Sequence, residues 1–236
     1  ILNLAMGLWP EWLSDGKTIL FLTVVSERGE EPSAPEIPSG PTIQENIGKT
    51  APARTYQDLL QNVHDEELFE YYFTGQLSAV TLDGEITTIG EPGIFRDFRS
   101  SPDGKHILVE IIHRPYSYLV PYYRFPKRVE IWNLEGELEK QIADLPLQEE
   151  VPIPFGSVPT GPRSFEWRND APATLLWTEA LDGGDAGREA EERDQVYLLS
   201  APFKEDAIPL ITLGLRYGGI TWGNDDVALV NEWWWD

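Results

Sequence analysis

Short runs rich in β-branched, aromatic and other apolar residues, each bounded by Asp, Asn, Gly or Pro, recur along most of the 236-residue chain. Runs of that length and composition predict strands rather than helices. One form appears four times: an aromatic anchor, a polar turn, then an apolar strand. Its clearest copy is Phe98-Arg99-Ser100-Ser101-Pro102-Asp103-Gly104-Lys105-His106-Ile107-Leu108-Val109-Glu110. Pro102 presets φ, Asp103 offers a side-chain acceptor and Gly104 tolerates positive φ, so a tight reversal is expected there. Weaker copies start at Trp12, Trp167 and Trp222, with turn aspartates at Asp15, Asp170 and Asp225.

Taken in order, the pattern predicts strands at 9–13, 18–25, 76–82 and 85–89. A second group follows at 95–99, 105–113, 128–134 and 137–143, and a third at 163–167, 174–180, 195–200 and 208–213. A final pair lies at 219–222 and 227–233. Between the first two pairs the pattern stops. Pro32, Pro35, Pro38 and Pro41 recur every third residue, the period of polyproline II, and predict a stiff surface loop. Thr55-Tyr56-Gln57-Asp58 has the spacing of a helix start, and His64-Asp65-Glu66-Glu67 opens a second helical segment with Leu68, Tyr71 and Tyr72 on one face.

Four-strand units with an aromatic in the first strand predict an all-β chain, an incomplete β-propeller of about three and a half blades with a short helical insertion in the first. The blades are expected at 1–90 with an insert at 27–75, at 91–145 with an insert at 114–128, at 160–214, and at 215–236, cut short. Three and a half blades do not close a ring, and the chain opens on Ile1 in mid-pattern, so it reads as a piece of a longer protein. The last strand, with three consecutive tryptophans, is expected to be an edge prone to aggregate unless other strands cover it.

Charge narrows the partners. Forty acidic against 18 basic residues give a net charge of −22. Such a surface repels nucleic acid and anionic membranes, so neither is an expected partner. No run approaches the ~20 apolar residues of a membrane helix. The absence of cysteine excludes disulfides and thiolate chemistry. His64, His106 and His113 lack metal-ligand spacing, and no metal or other cofactor is expected. No Gly-x-Ser-x-Gly elbow occurs. Ser14-Asp15-Gly16-Lys17 sits on a hairpin turn, and Gly16-Lys17-Thr18 and Gly48-Lys49-Thr50 lack the first glycine of a phosphate loop. The loop 182–194, with six acidic residues and two arginines, reads as solvated.

One insert looks built for contact. Residues 113–127 hold four tyrosines, two arginines and one lysine within an acidic protein. Tyrosine supplies rigid amphipathic area and arginine a fork for a carboxylate. Two roles are open: recognition of a peptide, or tyrosines locking the insert to its blade while the cations pair with neighbouring acids.

Several longer strings carry a resemblance. Gly40-Pro41-Thr42-Ile43-Gln44-Glu45-Asn46, Lys49-Thr50-Ala51-Pro52-Ala53-Arg54-Thr55-Tyr56-Gln57-Asp58-Leu59-Leu60, Tyr122-Tyr123-Arg124-Phe125-Pro126, Gly161-Pro162-Arg163-Ser164, Glu179-Ala180-Leu181-Asp182-Gly183-Gly184-Asp185 and Glu232-Trp233-Trp234-Trp235 resemble the propeller of glutamyl endopeptidases, in the prolyl oligopeptidase family of serine peptidases. The resemblance implies an N-terminal propeller that restricts access to a C-terminal α/β-hydrolase domain, its partner, with peptides cleaved after glutamate. No catalytic residue transfers to this chain, which alone is expected to be inactive. The substrate-contact candidates are Arg114, Tyr116, Tyr118, Tyr122 and Arg124, expected on the face turned toward the hydrolase domain. The alternative is a free-standing propeller similar to TolB-type proteins, acting as a protein- or peptide-binding scaffold.

Overall fold

The fold is taken from a computed structural model that describes residues 1–35, 56–151, 155–224 and 226–234. The proline-rich run beyond Pro35, Thr55 of the expected helix start and the turn residue Asp225 lie outside the described residues. The chain divides into two compact units, Ile1–Ser100 with Ile107–Glu149, and Ser101–His106 with Glu150–Asp236.

In the first unit, β1 (Glu11–Trp12), β2 (Thr18–Val24), β3 (Gly75–Thr81) and β4 (Ile86–Thr88) form an antiparallel meander in sequence order. A second meander follows, of β5 (Ile94–Ser100), β6 (His106–Ile112), β7 (Lys127–Asn133) and β8 (Leu138–Leu145). Leu20, Leu22, Leu77 and Ala79 of one sheet pack against Phe95, Phe98, Ile107, Val109 and Trp132 of the other. In the second unit, β9 (Arg163–Trp167), β10 (Thr174–Ala180), β11 (Asp194–Ser200) and β12 (Ile208–Leu213) repeat the meander. The hairpin β13 (Arg216–Asn224) and β14 (Val227–Trp233) adds Tyr217, Ile220, Trp222 and Val230 to the core of Leu176, Val196 and Leu198. The chain is therefore all-β, with three four-stranded blade-type sheets and a half sheet, as the pattern predicts.

The turns explain why the pattern is legible. Lys17 and Thr18 amides donate to Asp15 Oδ1 at 2.8 and 2.9 Å, which holds the Asp15 carboxyl below its ordinary value. The Lys105 amide and the Ser101 hydroxyl donate to Asp103 Oδ1. Glu135 and Glu137 amides donate to Asn133 Oδ1. Each such turn closes a hairpin with side-chain acceptors in addition to its backbone bonds.

One expected helix does not form. Among the described residues, 56–61 are not helical and Asp58 sits at φ 56°, in the left-handed region that ends helical continuity. Among the described residues a single α-helix, α1, spans Val63–Phe73. Its cap is Asn62, extended at φ −160° and ψ 176°, whose Oδ1 accepts the Asp65 amide at 3.0 Å. Asp65 reaches back to the Gln61 amide at 2.8 Å, so two otherwise orphaned amides are satisfied reciprocally. The loop 182–194 also departs from expectation. Its middle is exposed, but its ends Asp182 and Asp194 are buried against arginines of the second unit.

Gly84 and Gly136 both turn at positive φ, 84° and 83°. A Cβ on Gly84 meets open space, whereas one on Gly136 would lie 1.9 Å from the Gly90 amide nitrogen. Gly84→Ala is therefore expected to cost about 1 kcal/mol from backbone strain alone. Gly136→Ala is expected to cost about 3 kcal/mol or more, since the β7–β8 turn and the β4–β5 connection must move apart. Urea unfolding of the two variants checks the difference; equal costs would show that the close approach is not maintained.

Candidate functional site

The connection from β6 to β7 carries every substrate-contact candidate, and its first half is docked on α1. Glu66 and Glu70 lie four residues apart on that helix, hence on one face. Arg114 Nε donates to Glu70 Oε1 at 2.8 Å and Nη1 to Glu66 Oε2. The Tyr116 hydroxyl donates to Glu70 Oε1 at 2.9 Å and the Tyr118 hydroxyl to Glu66 Oε1 at 2.7 Å. Arg114 also lies 4.9 Å over the Tyr116 ring. Tyr116 stacks edge-on to Phe69 and tilted to Phe125, at 5.2 and 5.3 Å between centroids. Burial, then the Glu70 carboxylate, push the Tyr116 hydroxyl well above its ordinary pKa, while the hydrogen bond to Glu66 raises Tyr118 to about 12. Both phenols stay protonated donors throughout the physiological range.

The second half of the insert is held differently. A 3₁₀ turn, Tyr122–Arg124, places Tyr122 at the surface, its ring edge-on to Tyr123 at 6.0 Å. Arg124 Nη1 donates to the Gln148 carbonyl at 3.4 Å and its guanidinium lies 5.8 Å from the Tyr56 ring centre. The five candidates thus fall into two groups. Arg114, Tyr116 and Tyr118 are committed to α1, whereas among the described residues Tyr122 and Arg124 keep most of their polar capacity. A cavity lies beside each group, both within the first unit. One of about 480 Å³ is lined by Asn62, His64, Glu67 and Tyr118, and one of about 180 Å³ by Leu60, Phe73, Val120 and Tyr122 among others. Among the described residues no His, Cys, Asp and Glu cluster suits a metal ion, and no helix is long and apolar enough to cross a membrane.

A charged cluster in the second unit is not apparent from the sequence. Arg216, at the start of β13, is fully buried. Its guanidinium donates to Asp182 Oδ2 at 2.6 Å, Asp194 Oδ1 at 2.9 Å, the Gly156 carbonyl at 2.7 Å and the Arg193 carbonyl at 3.1 Å. Asp194 also accepts from Arg163 and from the Tyr217 amide, and Asp182 from Arg193 and the Gly184 amide. Arg193 in turn lies 3.9 Å over the Trp234 ring. Gly184 must be glycine here, because a Cβ would sit 2.0 Å from the Val158 carbonyl oxygen. Arg163, Asp182-Gly183-Gly184 and Trp233-Trp234 belong to three of the strings that carry the family resemblance. Asp182 binds Arg216 directly, Arg163 joins through Asp194 and Trp234 through Arg193.

No family model matches the chain. As a class, it is an all-β protein of four-stranded blade-type sheets, and its relatives come from sequence. It is 47% identical over 226 residues to the probable glutamyl endopeptidase, chloroplastic, of Arabidopsis thaliana. It is 44% identical over 226 residues to a protein of the same name from Oryza sativa subsp. japonica. Each match covers 94% of this chain but 23% and 24% of those proteins, so the chain spans about a quarter of their length. The resemblance to glutamyl endopeptidases read from the sequence therefore holds along nearly the whole chain. Among solved structures, an acylaminoacyl peptidase in complex with Z-Gly-Gly-Phe-chloromethyl ketone aligns with 88% of this chain and 25% of its own at TM-score 0.45 and 13% identity. The acylaminoacyl peptidase of Pyrococcus horikoshii aligns with 89% and 25% at TM-score 0.47 and 12% identity.

Burial pushes the Asp182 carboxyl up, but Arg216 and Arg193 outweigh it and hold it below its ordinary value of 3.8. A carboxyl depressed in the folded state contributes stability that is fully present above the unfolded pKa and is lost as pH falls through the folded one. Asp182→Asn is expected to lower stability at pH 7 by about 3 kcal/mol, because it leaves buried arginines undercompensated. The difference from the parent should shrink as pH falls below about 4. Thermal melts from pH 7 to pH 2 check this; a difference independent of pH would show that Asp182 is not ionised in the cluster.

Proposed function

We propose that the chain is the substrate-gating propeller portion of a serine peptidase that cleaves peptides after glutamate, the chemistry being supplied by an α/β-hydrolase domain outside these 236 residues. The observation that carries this reading is the 47% identity, over 94% of the chain, to a protein named as a glutamyl endopeptidase. Two features support it. The sequence contains no nucleophile elbow, so a hydrolytic centre would lie elsewhere. The repeated sheets are of the kind that builds a propeller, whose central passage admits extended chains and excludes folded ones.

For selection of an acidic side chain, Arg124 is the better placed of the two insert arginines. The Arg114 guanidinium is shared by two helix carboxylates, and a substrate glutamate would have to displace them. Among the described residues Arg124 makes one long bond to a carbonyl, and it gains a charge-assisted pair if a carboxylate approaches.

Kinetics of the full-length protein test the reading. Short glutamyl peptides should be cut while a folded protein bearing the same sequence in a helix is not. Arg124→Ala should lower kcat/KM on glutamyl peptides about tenfold, a typical loss for one charge-assisted hydrogen bond, and leave alanyl peptides unchanged. Arg114→Ala should lower the melting temperature and leave the ratio intact. Equal cleavage of folded and unfolded substrates would remove the gating role, and an unchanged glutamyl to alanyl ratio in Arg124→Ala would remove that residue from selection.

A further inference from the structure

The smaller cavity, about 180 Å³, lies between α1 and the Tyr122–Arg124 turn. Leu60, Phe69, Phe73, Val120 and Phe125 supply its apolar wall. Apolar cavities of about 150 Å³ stay dry and admit a molecule the size of benzene, so this one matches a single phenylalanine- or leucine-sized side chain. Asp58 and Tyr122 are the two lining residues with polar side chains. Asp58 is exposed, and neither group's side chain hydrogen-bonds to a described residue. Asp58 is held at φ 56°, in the sparsely populated left-handed region. Strained, non-glycine backbone of this kind concentrates at binding sites.

These groups constrain what enters. A wall of leucine, phenylalanine and valine rejects a charged tip, since nothing there replaces its water. A carboxylate that has no partner among the described residues and sits at the same wall favours a cation held next to the apolar group and outside the cavity. Arg124, from the same turn, directs its guanidinium to the Gln148 carbonyl and does not neutralise Asp58. The net charge of −22 adds a long-range preference for a cationic ligand.

We propose that this cavity is a peptide-anchoring subsite that takes an aromatic or branched aliphatic side chain whose sequence neighbour is lysine or arginine. The proposal deepens the peptidase reading, on which it rests for the ligand being a peptide. The anchored residues would belong to a part of the chain other than the cleaved glutamate. Anchoring by an apolar side chain gives affinity, and the adjacent charge pair gives register along an extended peptide.

Fluorescence anisotropy tests it on the full-length protein, treated with a fluorophosphonate so that any reactive serine is blocked and the peptides survive. The probes are labelled, acetylated hexapeptides with Lys-Phe at the centre, and the same peptides with Glu-Phe, Gln-Phe or Lys-Ala. Lys-Phe should bind at least tenfold more tightly than Glu-Phe or Lys-Ala. Asp58→Asn keeps the left-handed backbone, which asparagine tolerates. It should cut the preference for Lys-Phe over Gln-Phe at least fivefold without changing the melting temperature. Leu60→Trp, which narrows the cavity, should weaken Lys-Phe and leave Lys-Ala unaffected. Equal binding of Lys-Phe and Lys-Ala, or a Lys-Phe to Gln-Phe ratio unchanged by Asp58→Asn, would overturn the proposal. Because the peptide series needs no variant, misfolding of either one does not rescue it. Binding as expected by a protein that, untreated, fails to cut glutamyl peptides would sink the peptidase reading and leave the subsite standing.

Discussion

Asp15, Asp103, Asn133 and Asn224 each turn a side-chain oxygen back onto amides two to four residues further along the chain. That local bond is the constraint on which the sheets depend, because it fixes the register of the strand that follows. Side chains alternate between sheet faces, so a slip of one residue would exchange Leu20 and Leu22, which enter the shared core, with Phe21, which does not. With strands as short as these, few ladder bonds oppose such a slip. The turn must therefore specify the pairing, and the polar residues that bound each apolar run matter as much as the run itself.

The Arg216 cluster works against the usual economy of a core. Each of its ions gives up water at a cost of several kcal/mol, and only multiple good bonds offset that. Arg216 has four partners, and both carboxylates accept from backbone amides as well as from arginines. Three guanidinium groups against two carboxylates leave a local positive excess inside a strongly acidic chain. That excess is shared with the Trp234 ring, which Arg193 overlies. The cluster joins the start of β13 to both ends of the 182–194 loop and to β9. It thereby ties the hairpin to the preceding sheet by contacts that an apolar interface could not orient so specifically.

These two features differ in how far they can be read from residues alone. The hairpins are legible because Asp-Gly and Asn-x-x-Gly signals lie within the few residues they organise, and the strands at 163–167, 174–180, 208–213 and 227–233 fall where the pattern places them. The helix is half legible. An Asx- or Thr-x-x-Asp spacing occurs at both 55–58 and 62–65, and nothing local reveals that Asp58 takes a left-handed conformation while Asn62 and Asp65 cap α1. The burial of Asp182 and Asp194 is not legible, since their partners Arg163 and Arg216 lie 22 to 34 residues from them along the chain and meet them only through sheet register. In an acidic loop, composition argues for solvation; the sheet overrides it.

The tyrosine-rich insert shows why enrichment alone did not separate recognition from docking. Both roles call for tyrosine and arginine, and only the first half of the insert spends them on docking to α1. Its first half spends Arg114, Tyr116 and Tyr118 on two glutamates one helical turn apart, which converts α1 into a rigid support. That support is what allows the second half to stand as a short 3₁₀ turn with Tyr122 exposed and an apolar cavity open beneath it. A turn of three residues has too few internal bonds to hold such a cavity open by itself. The docked half supplies the rigidity, and the second half leaves Tyr122 exposed beside the cavity.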